Sequence, residues 1–324
     1  MLKLKKFGIL FVVVVAATIT HAQQDSLPVP ELQQAGLPER YVKKVLIEAK
    51  WGDGPGEFQL EPMNETQTWT TYLALDKQGN IYIADPNNYR INTFNQSGSY
   101  INTLILAESD VLEKNKLLPG DRGSLIQGIG VNSKDHIFVA LSAFGNNTTV
   151  LEFDKNGNKI DKYFFPKAYI KGFSLLEDKN NIYLSGSWCL IEKSLQGYQY
   201  VYAAVPISLG KTNSYKNSIG IVDKIKEIAK QTDVMLKEKK FKNGYSGYYS
   251  GSGDVVIKNR KSNVVFNKHH YDLMETHRFT YKPEHSASVG AGIIFDNEGN
   301  FYVLQGKQNG LEVLKYNLTP EDIK

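Results

Sequence analysis

A short strand pattern that returns five times constrains this chain more than any other feature. Residues 79–85 (GNIYIAD), 135–141 (DHIFVAL), 180–186 (NNIYLSG) and 299–305 (GNFYVLQ) are clear copies, and 253–259 (GDVVIKN) is a weaker one. Each core is β-branched or aromatic and follows polar turn residues, which is the chemistry of a strand leaving a tight reversal. Residues 76–80 (DKQGN) and 296–300 (DNEGN) repeat one turn, in which Gly and Asn supply the positive φ that a hairpin needs. Apolar stretches at 71–75, 126–131 and 292–295 lead into copies. Others at 90–94, 149–153 and 311–316 follow them, and turns at 95–98 and 154–157 reverse two of these again. Up to four short antiparallel strands therefore belong to each unit.

The copies start 56, 45, 73 and 46 residues apart. Periods in the forties with four strands per unit are the spacing of propeller blades, each burying its faces on its neighbours. The reading is an all-β propeller of four-stranded antiparallel blades, six in number, with five as the alternative. In the interval of 73 residues, Ile221, Ile225 and Ile228 fall at helical spacing among Lys and Glu. They predict a short helical insertion near 221–242, a degenerate extra blade being the other account. The last unit is short of a strand, and residues 41–48 (YVKKVLIE) are suited to complete it from the N-terminal side.

The first repeat carries more than strand pattern. Trp51-Gly52-Asp53-Gly54-Pro55-Gly56-Glu57-Phe58, then Leu73-Ala74-Leu75-Asp76, then 79–85, then Asn88, Arg90, Ile91 and Phe94 together resemble an NHL repeat. The likeness spans about 50 residues; elsewhere only the strand-turn core survives, best at 292–305. The resemblance implies an NHL-like or TolB-like propeller, most often six-bladed, in an exported bacterial protein. It also implies a ligand or partner face around the central channel. It implies no reaction, since such relatives include pure binding modules as well as lyases and lactonase-like metalloenzymes. Asp85 and Arg90 match family positions that are commonly structural, where they pair across adjacent strands and pin their register.

The N-terminal residues read as an export signal. Lys3, Lys5 and Lys6 precede an apolar run over 7–18, and Thr20-His21-Ala22 puts small residues where signal peptidase cuts. The run is nearer a dozen residues than the roughly 20 a spanning helix needs. The expected organisation is a signal peptide over 1–22, a linker over 23–39 and one propeller domain over 40–324. The mature chain is then periplasmic or extracellular, with no membrane span. Cys189 is the only cysteine, so no intramolecular disulfide can form and stability must come from a core. It reads as a small buried apolar residue. Five Asn-x-Ser/Thr sequons occur, at Asn64, Asn95, Asn146, Asn147 and Asn317, and carry no weight in a bacterial protein.

Without the three N-terminal lysines, the 38 Lys and Arg fall to 35 against 34 Asp and Glu. A balance this even gives no support to nucleic-acid binding, which needs clustered basic excess. The densest group of metal-ligand types is 268–278 (KHHYDLMETHR), with His269, His270 and His277 as candidate metal ligands and Asp272, Glu275 and His285 nearby. The His-Glu-x-x-His spacing of a zincin is absent. The interval from His269 to His277 suits opposite strands of a polar hairpin as well as a helix. Gly210-Lys211-Thr212 ends like a phosphate loop, but Val205 stands where the first Gly is required and Pro206 intervenes. Tyr245, Tyr248 and Tyr249 within 243–253 (NGYSGYYSGSG) form an aromatic loop suited to glycan or peptide contact. Trp51 and Trp69 suit gaps between blades. The leading expectation is a binding module for a protein, peptide or glycan partner that requires no cofactor. The alternative is a metal-dependent hydrolase or lyase with a divalent ion in the channel.

Overall fold

The computed structural model describes residues 41–59, 67–70, 72–106, 125–142, 147–177, 181–191, 198–211, 218–231, 238–249, 254–269, 273, 278–282, 285–290 and 293–318. The N-terminal strand β1 (Tyr41–Lys50) and a short β2 (Gln67–Thr70) precede the first blade. That blade is β3 (Leu73–Leu75), β4 (Ile81–Asp85), β5 (Arg90–Phe94) and β6 (Tyr100–Ile105), paired in that order. The second is β7 (Leu125–Val131), β8 (Ile137–Ser142), β9 (Thr148–Phe153) and β10 (Lys159–Phe165). The third has three strands, β11 (Ala168–Glu177), β12 (Ile182–Ile191) and β13 (Tyr198–Pro206). A 3-10 turn, Ile207–Lys211, and the helix α1 (Ser218–Gln231) follow it. The fourth blade is β14 (Lys239–Lys240), β15 (Ser246–Tyr249), β16 (Asp254–Lys258) and β17 (Val264–His269). Next come β18 (Arg278–Lys282) and β19 (His285–Gly290), then β20 (Ile293–Phe295), β21 (Phe301–Lys307) and β22 (Gly310–Leu318) of the fifth blade.

The all-β propeller of antiparallel blades is therefore present, with five blades rather than six among the described residues. The sixth sheet, of order β18-β19-β2, is a hairpin to which β2 adds in parallel. It is no antiparallel meander, because its third strand comes from the far N-terminal side of the chain. The long interval between the third and fourth motifs holds β13 and α1 rather than another blade. The helix is shorter than the expected 221–242: it ends at Gln231, and Lys239–Lys240 is already strand. Ile221, Val222 and Ile225 are buried and Ile228 half-buried against the third blade. That apolar stripe, not helix propensity, stabilises a segment so rich in β-branched residues.

β1 completes the fifth blade, pairing antiparallel with β22 from Tyr41–Leu318 to Lys50–Gly310. Joining the two ends of the chain in one sheet is what closes the ring. The fit is close: a Cβ on Gly98 would fall 1.8 Å from Leu46 O, and one on Gly310 1.9 Å from Ala49 O.

Apolar clusters fill the seams between blades. Ile47, Leu304 and Val313 of the fifth blade pack with Ile81 and Ile83 of the first, and Phe58 stacks on Phe94 at 6.3 Å. Ala74, Tyr82 and Ile91 meet Ile129, Ile137 and Val139 in the next seam. Phe165 and Trp188, 5.4 Å apart, anchor the third. Phe241, Phe295, Phe301 and Tyr316 join the fourth blade to the fifth. Each buried aromatic removes 150–250 Å² from water, worth about 4–6 kcal/mol at about 25 cal/mol per Å² before entropy opposes it. Cys189 is buried in the third blade as the sequence implies. Among the described residues, no helix is long and apolar enough to cross a membrane.

Candidate ligand groove

One turn recurs at blade hairpins and supplies the frame of the site. An Asx side chain accepts from the backbone N–H two and four residues on: Asn132 Oδ1 from Lys134 and His136, Asp154 Oδ1 from Asn156 and Asn158, Asn259 Oδ1 from Lys261 and Asn263. Asn95 and Asp296 do the same. The residue three on from the Asx takes positive φ. It is Gly at 98, 157 and 299, and also Gly79 in the turn of Asp76, with φ between 81° and 90°, and Ser262 in the turn of Asn259, at φ 62°. In the β7–β8 turn that position is Asp135, at φ 62°. Asp tolerates this conformation better than most residues, but at a cost Gly avoids.

Asp135 opens onto a groove of about 520 Å³ between the first and second blades, within the 300–1,000 Å³ range of ligand sites. Its floor is Tyr82 of β4 beside Asp76, and one wall is Ile101–Ile105 of β6. Ile137 and the β9–β10 turn (Lys155, Asn156, Gly157) form the other wall. The register that aligns Tyr82, Thr93 and Asn102 across β4, β5 and β6 puts these three on one face of the sheet.

Asp76 is satisfied: it accepts from Asn80 N at 2.8 Å, Asn80 Nδ2 at 2.7 Å and the Tyr82 hydroxyl at 3.2 Å. Burial first, then the charges of Asp76 and Asp135, push the Tyr82 phenol well above its ordinary pKa, so it remains a donor. Asp135 is different. Its Oδ2 receives only a long contact from Gln78 Nε2 at 3.4 Å, and its Oδ1 is shut off from solvent with no hydrogen-bond partner. A carboxylate oxygen in that state costs free energy unless a donor reaches it.

Asp85 and Arg90 are a structural clamp, as the sequence implies. Arg90 Nε bonds Asp85 Oδ2 at 2.9 Å, while Nη1 donates to Asp53 O at 2.6 Å and Nη2 to Glu57 O at 2.8 Å. Asn88 Nδ2 donates to Asp85 Oδ2 and Asn92 Nδ2 to Glu57 O, each at 2.8 Å. The Gly-rich segment after β1 is thereby tied to the first blade. Trp51 ties it to the fifth by donating from Nε1 to Lys307 O at 2.9 Å.

The sequence-derived candidates lie elsewhere. Tyr245 is 9% exposed and belongs to the core between the fourth and fifth blades. Tyr248, half-buried in β15, has Lys258 Nζ 5.1 Å above its ring. Tyr249 ends the same strand. The expected aromatic loop is thus the second strand of a blade, entered through a turn with Gly244 at φ 82°. The motif copy at 253–259 is the third strand of that blade, which explains its weakness. His269 ends β17, and His270 and His277 lie outside the described residues. β17 and β18 belong to different sheets, and apart from Leu273 the residues between His269 and Arg278 lie outside the described residues. Trp69 is in β2.

Fold and groove together define the class: a five-bladed β-propeller with a polar-floored cleft between adjacent blades. No family model matches the chain, and no curated protein does. Its structure is similar to the PQQ-bound form of an aldose sugar dehydrogenase from Streptomyces coelicolor, at 11% identity, 86% coverage of this chain and 99% of the other, with a TM-score of 0.40. It is also similar to a virginiamycin B lyase from Staphylococcus aureus, at 11% identity, coverage of 81% and 69%, and a TM-score of 0.27. A protein of unknown function from Bacteroides caccae matches at 13% identity, coverage of 73% and 70%, and a TM-score of 0.31. Scores this low carry no argument about activity, and the propeller assignment rests on the chain's own sheets.

Proposed function

We propose that this protein is an exported, NHL-like propeller that acts as a binding module for a protein, peptide or glycan partner. The observation that carries the reading is the groove between the first two blades, with a carboxylate oxygen on Asp135 that lacks a donor. Binding needs only shape, anchors and polar groups awaiting partners, and the groove supplies all three. The export signal over 1–22 puts such a module where partners outside the cytoplasm are met.

The competing reading is a metal-dependent hydrolase or lyase working from the channel, with His269, His270 and His277 as ligands. Two measurements separate them. Metal analysis of mature protein purified without chelator is expected to find less than one tightly held ion per chain, and melting is expected to be unchanged by chelation. Peptide and glycan arrays are expected to yield ligands that leave unaltered. One ion per chain with a melting temperature that falls on chelation, together with turnover of a bound ligand, overturns the binding reading.

A further inference from the structure

The outer strand β6 differs from the other outer strands. β10 carries Lys159, Asp161 and Lys162, with the 3-10 turn packed on it; β1 carries Lys43, Lys44, Glu48 and Lys50; β17 carries Lys268. β13 has no charge but lies under α1. β6 reads Tyr-Ile-Asn-Thr-Leu-Ile, with no charge and no Pro, and among the described residues it pairs only with β5. Ile101 is 47% exposed and Ile105 72%. An open, uncharged edge of this kind invites pairing with another strand, and chains that do not use one blunt it with charge, Pro or a cover. Here the edge runs along the wall of the groove whose floor holds Asp76 and Asp135.

Resting on the binding reading above, we propose that the groove takes an extended peptide segment, added as a fifth strand along β6, with a Lys or Arg side chain reaching Asp135. Three observations converge on that occupant. Among the described residues the outward backbone donors and acceptors of this edge have no strand partner, and such groups give strand addition its affinity. The face of Thr93, Asn102 and Leu104 is uncharged, so it accepts the alternate side chains of a strand. Among the described residues, the buried side-chain oxygen without a partner belongs to Asp135, which lines the groove and whose Oδ2 has only the 3.4 Å contact from Gln78 Nε2, and a cationic donor satisfies a carboxylate best. Lys155, the only cation among the described lining residues, lies on the exposed β9–β10 turn. Lining charge is therefore net acidic by one, which favours a basic over an acidic segment.

The test uses the mature full chain and two blocked nonapeptides of alternating Thr and Val, one with a central Lys and one with norleucine there. Titration calorimetry is expected to show the Lys peptide binding about ten- to a hundredfold more tightly, the range of a charge-assisted hydrogen bond. Hydrogen exchange is expected to slow over 100–105 on addition of that peptide. Asp135→Asn is expected to erase the preference, as is Asp135→Gly, which places there the residue that four of the sister turns use and so folds at least as well. Equal binding of both peptides, or slowed exchange elsewhere, overturns the cation at Asp135 and leaves the binding module standing. Binding of neither peptide overturns strand addition, and only empty arrays as well overturn the module.

Discussion

The account of the first repeat is most exposed at Asp85. That side chain is fully buried, and its partner Arg90 is 8% exposed. Asp85→Ala removes the acceptor of Arg90 Nε and of Asn88 Nδ2, and leaves a guanidinium held only by the carbonyls of Asp53 and Glu57. Breaking a buried pair from one side costs about 3–5 kcal/mol, because the remaining charge is uncompensated. For a domain of this size each kcal/mol moves the melting temperature by about 2–4 °C, so a fall of about 6–20 °C is expected. Asp85→Asn keeps an acceptor and should lose less. Arg90→Met isolates the other half. Burial already pushes the Asp85 carboxyl above its usual range, opposed by its hydrogen bonds to Asn88 and Arg90. Without Arg90 it rises further, and the folded state then holds the proton more tightly than the unfolded one. The penalty of Arg90→Met is therefore small at acid pH and grows as pH rises from the unfolded carboxylate's value toward the folded one. Urea melts of the two single variants and the double variant between pH 4 and 8 measure this. Asp85→Ala within 1 kcal/mol of the parent, or a pH-independent Arg90→Met, would refute the clamp.

Further outcomes follow from the same structure. Asp135→Gly should raise stability by about 1–2 kcal/mol in chemical denaturation, by relieving positive φ and an unsatisfied buried oxygen; no gain would mean that the oxygen already has a donor. Gly98→Ala should destabilise by about 2–4 kcal/mol, since its Cβ meets the closing strand's backbone at Leu46, whereas Gly79→Ala, whose nearest contact is at 3.6 Å, should cost only about 1 kcal/mol of strain. Tyr72, Tyr82, Tyr163 and Tyr302 are held well above the usual phenol range, chiefly by burial, and Tyr169 is raised to about 12. Because the unfolded chain ionises first, stability should fall as pH climbs above about 10. Tyrosinate absorbance should then show these groups appearing only as the chain unfolds.

Local chemistry made much of this fold readable. The Asp-x-x-Gly-Asn turns, the strand cores behind them, the apolar stripe of α1 and the closing strand near residue 41 each announce themselves within a few residues. So does the Asp85–Arg90 pair, which needs only two adjacent strands. The fourth blade was not readable in phase. Its second strand, Ser246–Tyr249, is so rich in Gly and Tyr that it reads as a loop, and the β-branched run at 253–259 reads as the motif instead. The sheet that recruits β2 in parallel depends on pairing across more than 200 residues, which no local pattern encodes. The groove was invisible for the same reason. Its floor and walls come from the segments around 76–82, 93–105, 135–137 and 155–157. Asp135 looks in sequence like any polar turn residue, and only tertiary burial strips its Oδ1 of partners.

We propose that this propeller meets its ligand in the groove between its first two blades. Hydrogen exchange read by mass spectrometry on the mature chain, with and without a ligand taken from the arrays, tests it most directly. The account predicts slowed exchange over 76–82, 100–105, 135–137 and 155–157, with little change on the fourth blade. Protection confined to the fourth blade or to the innermost strands, with those four segments unchanged, would contradict it.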